Sequence, residues 1–314
     1  MRATVPDHSG PVARTDDVMR IGVDLGGTKI EAIAVSDAGE IRLRHRVPTP
    51  HRDYEATLRA VVDIVRSFQR ELGQTCSVGV GIPGAMSLAT GLVKNANSVW
   101  LIGRPLDRDL ERMLGQPVRV ANDANCFALS EATDGAGKGA AVVFGVIVGT
   151  GTGGGIVVHG RVLDGRNRIG GEWGHNPLPW PEPDEWPGPP CYCGRTGCIE
   201  TFLSGPALSR GYAALTGQAI DAAEVARRAL GGDVAAERAL ATYEARMARA
   251  LASVINILDP DIIVLGGGLS NIDRLYANVP SRWGPFVFSD RVETPLVQAA
   301  HGDSSGVRGA AWLW

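Results

Sequence analysis

Short apolar runs that end in glycine alternate along this chain with segments of helical period. Residues 20–35 read IGVDLGG and then TKIEAIAV, followed by a turn at Asp37–Gly39 and the alternating IRLRHRV. Apolar runs joined by turn residues predict an antiparallel strand meander. Beyond Asp53, the residues Leu58, Val61, Val62, Ile64, Val65 and Phe68 share one broad face. That spacing predicts a helix with Asp53 as its N-cap and Gly73 at its end. VGVGIPG (78–84) reads as a buried strand that ends in a glycine loop. A loop bearing KNANSVW, a short helix over about 107–114 and a strand VRVAN (118–122) lead to Asp123, which starts a helix through about Thr133.

The theme recurs from Ala141, where VVFGVIVGTGTGGGIVVHGRVL is again strand, glycine turn and strand. Two related halves are implied. Between Gly170 and Cys198 periodic apolar positions are few and proline is dense, so this stretch needs an organiser other than a hydrophobic core. Helices are predicted at roughly 205–215, 221–230 and 233–257, the last ended by Asp259-Pro260. IIVLGGGLS (262–270) is another strand feeding glycines, and GVRGAAWLW closes the chain as a helix expected to pack back on the body.

Composition narrows the classes. With 314 residues, 44% of them hydrophobic, the chain has material for about two cores. A net charge of −3 supplies no overall field for nucleic acid or an anionic membrane, so neither is an expected partner and any anion must be held locally. The longest apolar runs are about ten residues, half of what a spanning helix needs. Residues 1–18 lack the apolar centre of a signal peptide and read as a flexible extension, which makes the cytoplasm the expected compartment.

The glycine loops carry the first chemistry. Asp24, Gly26, Gly27, Thr28 and Lys29 sit between two strands, where a tight turn exposes N–H groups beside a carboxylate and a hydroxyl. Such a loop suits a phosphate and its magnesium; alone it is equally an ordinary hairpin, and its recurrence as Gly149-Thr150-Gly151 tips the balance. Gly149–Gly154 and Gly79–Gly84 both contain GxGxxG, but neither opens a helix as a dinucleotide-binding turn must. No GxxxxGK[ST] is present. Gly266-Gly267-Gly268 remains for a third part of a nucleotide.

Asn122-Asp123 lies where a strand meets a helix, which is a usual place for an N-cap and also for a functional carboxylate. Phosphoryl transfer to an alcohol needs a carboxylate that orients the hydroxyl and accepts its proton, and Asp123 suits that role. His175, Cys191, Cys193 and Cys198 give H-x15-C-x-C-x4-C. Four soft ligands in a segment without a core of its own fit a closed structural zinc site. A disulfide is the competing reading, and C-x-C is too tight a ring for an unstrained one. Cys76 and Cys126 read as buried filler. Glu172 and Glu200 flank the ligands, and carboxylates beside a rigid loop are good acceptors for sugar hydroxyls.

DLGGTK, NDAN, VGTGTGGG, GEWGHNPLPW, CYCGRTGCIE and LGGGLS, in this order over about 20–314, resemble the ROK family of bacterial sugar kinases. KNANSVWL, GEWGHNPLPW and HGDSSGVRGAAWLW resemble most closely its fructokinase and mannofructokinase members. The resemblance implies an actin-like, ribonuclease H-like, two-lobed α/β fold with a zinc-bound loop, ATP between the lobes and the hexose in the cleft. An N-terminal lobe over 19–123, joined by the helix at about 303–314, and a C-terminal lobe over 124–302 with the zinc loop at 170–200 are expected.

The resemblance also assigns roles by position. It makes Asp123 the catalytic base and gives Asn97, Asn122, Glu172, His175 and Glu200 to the sugar. His175 would serve twice, one ring nitrogen on zinc and the other on the sugar. Gly26, Gly27, Thr28, Lys29, Gly149, Thr150 and Gly151 would hold phosphate, Gly267 and Gly268 the adenosine side, and Asp24 the magnesium through water. The implied activity is ATP-dependent phosphorylation of D-fructose at the 6-hydroxyl. N-acetylglucosamine, mannose and glucose are the alternative substrates, and a homodimer is the implied assembly. A sugar-sensing repressor of this family would carry about 60–80 residues of helix-turn-helix before DLGGTK, where about 20 stand here. A zinc hydrolase fails because four protein ligands leave no open position.

Overall fold

The computed structural model describes residues 18–96 and 98–314, so most of the expected extension over 1–18 and the expected sugar contact Asn97 lie outside the described residues. The predicted meander is present as β1 (Met19–Leu25), β2 (Lys29–Ser36) and β3 (Ile41–Pro48), and β4 (Ser77–Ile82) follows. A small hairpin, β5 (Ala85–Met86) and β6 (Val93–Lys94), precedes β7 (Val118–Asn122). The main sheet runs β3-β2-β1-β4-β7, with β1 antiparallel to β2 and parallel to β4, and β4 parallel to β7. The second half supplies β8 (Val142–Val148), β9 (Thr152–Val158), β10 (Arg161–Val162), β11 (Ile262–Gly266) and β12 (Leu296–Gln298). Its order, β10-β9-β8-β11-β12, and its pairing senses repeat those of the first sheet strand for strand. The repetition visible in the sequence is thus a repetition of topology, and the fold is the actin-like, two-lobed α/β arrangement.

Local rules account for the elements. β1, β2 and β4 are buried along nearly their whole length, and they read as near-continuous apolar runs because helices cover them. β3 is an edge strand: Leu43 and Val47 pack inward while its arginines face solvent. In α1 (Tyr54–Leu72) the Asp53 carboxylate accepts the Ala56 N–H at 2.9 Å, and Gly73 closes the helix at φ 66°. α2 (Leu106–Leu114) and α3 (Asp123–Thr133) follow as the pattern predicts, but the cap of α3 is Asn122 and Asp123 is its first helical residue. Beyond it come α4 (Glu200–Leu203), α5 (Gly205–Thr216), α6 (Ala222–Leu230), α7 (Val234–Leu258), the single turns α8 (Leu275–Asn278) and α9 (Pro280–Trp283), and α10 (Ser305–Ala311). None of the described helices is long and apolar enough to cross a membrane.

Two helices cross between the halves. α3 continues from β7 of the first sheet but packs on β8 and β9 of the second, while α10 follows β12 and packs on β1 and β4 of the first. α3 and α10 also pack on each other. Glycine paves these contacts: Gly22 stands opposite Gly79 in the register of β1 and β4, and Gly145 opposite Gly155 in that of β8 and β9. A Cβ on Gly79 would lie 1.9 Å from the Ala310 carbonyl oxygen, and one on Gly155 would lie 2.5 Å from that of Ala124. On the α10 side a Cβ on Gly309 would lie 1.6 Å from the Cys126 carbonyl oxygen. Backbone meets backbone, so no side chain can yield.

A buried carboxylate fixes the start of α10. Glu131 of α3 has no exposed surface, and it accepts the Ala136 and Ala300 N–H groups at 2.9 Å and the Ser305 hydroxyl at 2.8 Å. Donors around a helix N-terminus compensate the buried charge, which would otherwise be costly. Asp134, one turn on, pairs with Arg308 and with His301 at 3.0 Å.

Gly309→Ala should therefore destabilise the protein by about 3 kcal/mol or more, since overpacking against backbone cannot be relieved by a rotamer change. Gly211→Ala, in open space on α5, should be neutral or gain up to about 1 kcal/mol through helix propensity. Paired thermal unfolding curves check both signs.

Candidate active site

Parallel pairing carries the C-terminal ends of β1, β4 and β7 to one edge, so Asp24, the loop after Ile82 and Asn122-Asp123 meet there. The two expected phosphate loops are the β1–β2 and β8–β9 turns. They are closed by Gly26 N–H to the Lys29 carbonyl at 3.0 Å and Gly149 N–H to the Gly151 carbonyl at 2.9 Å. Gly27, Thr28 and Thr150 are exposed at the tips. Thr49 braces the first turn, its hydroxyl donating to the Gly26 carbonyl at 2.8 Å. Gly267, at φ 82°, passes so near β8 that a Cβ would lie 2.4 Å from the Val148 carbonyl oxygen. Gly149, Gly267 and Gly268 therefore form one surface free of side chains, the kind of cradle a nucleotide phosphate chain fits.

Asp123 is reachable by solvent although protein surrounds it on most sides, as for a residue at the floor of a cleft. That surrounding protein, followed by the charges of Asp24 and Glu172, raises its pKa to about 6 against the pull of the Ala124 N–H. Asp24 is raised to about 6 as well, by burial and by Glu31, with Lys29 opposing. Asp24 and Asp123 thus lie close to each other with little compensation, and Glu172 adds a third carboxylate nearby, a donor set suited to a divalent cation and an alcohol.

Asn122 is more constrained than its expected sugar role implies. Its side-chain oxygen accepts the Ala124 and Asn125 N–H groups at 2.9 and 3.3 Å, and its amide donates to the Gly84 carbonyl at 3.1 Å. One amide hydrogen is left for a ligand. Glu200, the first residue of α4, accepts the Thr152 N–H at 2.9 Å, which ties it to the second phosphate loop. Glu172 and His175 belong to a short turn held by buried Trp173, whose indole N–H donates to the Gly153 carbonyl at 3.0 Å.

His175, Cys191, Cys193 and Cys198 come together with their ligand atoms all within 4.8 Å of one another. The Cys193 and Cys198 sulfurs are 3.7 Å apart, against ~3.8 Å between thiolates on a tetrahedral zinc with ~2.3 Å bonds. His175 Nδ1 is 3.6 Å from the Cys191 sulfur. These residues fit zinc, which would cross-link the loop and leave no position for water. The other His175 nitrogen, Nε2, is 2.9 Å from the Tyr192 hydroxyl.

Several contributors escape a reading of local pattern. Arg249 of α7 pairs with Glu185 at 2.7 Å and donates to the Trp180 carbonyl at 2.6 Å, so the proline-dense stretch has a second organiser besides the thiols. Lys94 of β6 donates to the Asn167 carbonyl at 3.1 Å and joins the two halves close to Glu172 in sequence. Arg249 is one of three arginines in an alanine-rich helix, and nothing in the sequence singles out it or Lys94.

The ROK family model matches residues 20–314. The N-acetyl-D-glucosamine kinase of Pectobacterium atrosepticum is 41% identical over 304 residues, covering 94% of this chain and 98% of its own length. Among solved structures, the ROK hexokinase of Thermus thermophilus superimposes with a TM-score of 0.83 at 34% identity, over 94% of this chain and 97% of that one. A ROK family glucokinase of Streptomyces griseus, solved with glucose and AMPPNP, gives 0.75 at 29% identity, over 93% and 98%.

The two organisers of the cysteine-bearing loop should separate experimentally. Chelation is expected to speed amide hydrogen exchange over 188–198, while 180–186, held by Arg249, exchanges much less differently. Uniform loosening of 170–200 would mean that the metal alone holds the segment. Elemental analysis should find one zinc per chain, and Cys193→Ser should lose it.

Proposed function

The chain belongs to the ROK family and is a sugar kinase, and within that class we propose that it phosphorylates N-acetylglucosamine at the 6-hydroxyl with ATP and Mg²⁺. The relative that is 41% identical over nearly its full length carries this choice of sugar. Fructose is the second reading, favoured by the segments at 94–101, 171–180 and 301–314. Membership itself does not decide between hexoses, because discrimination rests on a few pocket contacts.

In this reading Asp123 is the base. The sugar O6 forms a bond to the γ-phosphorus, the bond from that phosphorus to the β–γ bridging oxygen breaks, and Asp123 takes the O6 proton. Its place at the start of α3 and its raised pKa support the role, since a base titrating near the working pH combines ionisation with proton affinity. Magnesium, when bound, supplies charge neutralisation on the phosphates; Asp24 would hold it through water. Gly26, Gly27, Thr28, Lys29, Gly149, Thr150 and Gly151 are assigned to phosphate, Gly267 and Gly268 to the adenosine side, and Asn97, Asn122, Glu172, His175 and Glu200 to the sugar. A structural zinc on His175, Cys191, Cys193 and Cys198 and a homodimer complete the proposal.

ADP release measured against N-acetylglucosamine, fructose, mannose and glucose tests the substrate. The highest kcat/KM should fall on N-acetylglucosamine; a clear preference for fructose would transfer the assignment, and no turnover with any of the four would refute the proposal. Asp123→Asn should lower turnover by about 10²–10⁴-fold while sugar affinity stays within a few-fold. Because the base must be ionised, wild-type kcat/KM should rise with pH through about 6 and then level off. Asp24 titrates beside it, so the apparent value belongs to the pair.

A further inference from the structure

Ser98 stands immediately before a short 3₁₀ turn, Val99–Leu101. A serine at such a place commonly turns its hydroxyl back onto the first N–H groups of the turn. Here the hydroxyl makes no cap, and only the backbone carbonyl of Ser98 serves the turn, accepting the Leu101 N–H at 2.9 Å. The residue is 1% exposed, and its hydroxyl oxygen has no hydrogen-bond partner among the described residues. A buried hydroxyl left unpaired is costly, so what it faces matters.

It faces the first phosphate loop. A Cβ on Gly27 would lie 3.4 Å from the Ser98 hydroxyl oxygen. Most of that loop's backbone is already committed: the Gly26 N–H donates to the Lys29 carbonyl, and Thr49 serves the Gly26 and Thr28 carbonyls with its hydroxyl and its N–H. The peptide between Gly27 and Thr28 is not committed. Its C=O and N–H make no hydrogen bond among the described residues, and glycine at its head lets it rotate. In a trans peptide the C=O and the N–H point to opposite sides. With the Gly27 carbonyl turned to enclosed Ser98, the Thr28 N–H therefore points to the exposed face of the loop tip.

We propose that Ser98 is the catch that sets the first phosphate loop. With a nucleotide bound, its hydroxyl donates to the Gly27 carbonyl, and the Thr28 N–H is thereby held toward a phosphate oxygen. Ser98 is a positioning residue and does not itself touch the phosphate. The cost of its unpaired hydroxyl is offset as the phosphate draws the N–H over, so one intramolecular bond adds to nucleotide affinity. The inference rests on the sugar-kinase reading, which puts a triphosphate on this loop, and deepens it.

Ser98→Ala removes the hydroxyl and leaves the smallest change in shape. Calorimetric titration with Mg²⁺ and AMPPNP should give about three- to tenfold weaker binding than in the wild type, the scale of one lost hydrogen bond. The thermal midpoint without nucleotide should stay the same or rise, because the group removed has no partner there. Affinities for N-acetylglucosamine and fructose, titrated without nucleotide, should not change. A purely structural serine would not move stability and nucleotide affinity in opposite directions. Unchanged AMPPNP affinity would overturn the proposal. So would a lower thermal midpoint, which would show that the hydroxyl supports the fold, or an equal loss of sugar affinity, which would place the effect in the neighbouring Asn97. A wild type that binds no AMPPNP and phosphorylates no sugar would instead sink the underlying reading, and that appears before any substitution is made.

Discussion

Backbone-to-backbone contact between α3, α10 and the two sheets is the constraint on which the rest of the structure depends. Each helix belongs to one half by chain order and to the other by packing, so the halves cannot separate without breaking both. Gly22, Gly79, Gly145, Gly155 and Gly309 set the clearance, and side chains there would hold the helices off by more than packing can absorb. The same crossing delivers the chemistry. Asp123 is the first residue of α3, and an Asp24 carboxylate oxygen lies 4.0 Å from where a Cβ on Gly306 of α10 would stand. A carboxylate thus sits near the N-terminal turn of each crossing helix, where the backbone N–H groups favour negative charge.

That favour does not outweigh burial, since both groups titrate near 6. A carboxyl whose folded pKa lies above its unfolded value opposes folding once pH exceeds the unfolded pKa, and the opposition fades as pH falls below it. At neutral pH Asp24 and Asp123 therefore work against the fold that positions them, whereas Glu131 is met by backbone N–H groups and the Ser305 hydroxyl. The contrast between a satisfied buried carboxylate and two underserved ones in the same crossing separates support from candidate chemistry more sharply than burial alone.

What was legible in the sequence was local. The glycine turns, the predicted helix starting at Asp123 and the spacing of His175, Cys191, Cys193 and Cys198 each depend on a few consecutive residues or on one ligand geometry. The crossing of α3 and α10 was not legible, because Gly22 and Gly145 look like any glycine in a strand until the helix above them is known. Asn122 takes the cap and Asp123 the first helical position, a division that adjacent polar residues cannot reveal. Glu185 and Arg249 lie 64 residues apart, and only the folded chain makes them partners. The resemblance supplied the family and the fold correctly.

The gap between fructose and N-acetylglucosamine has the same origin. The segments that carry the family resemblance are those that would hold phosphate, metal and the hydroxyls common to hexoses, and they are under the same demand whichever sugar enters. Choosing between sugars needs a difference in binding between a hydroxyl and an acetamido group at one carbon, which a single donor or a single apolar face supplies. Such a contact is one side chain on a loop, not a motif. A loop that is to present such a side chain must itself be held, and in this fold the proline-dense segment near Glu172 is held by the clustered thiols and by Arg249.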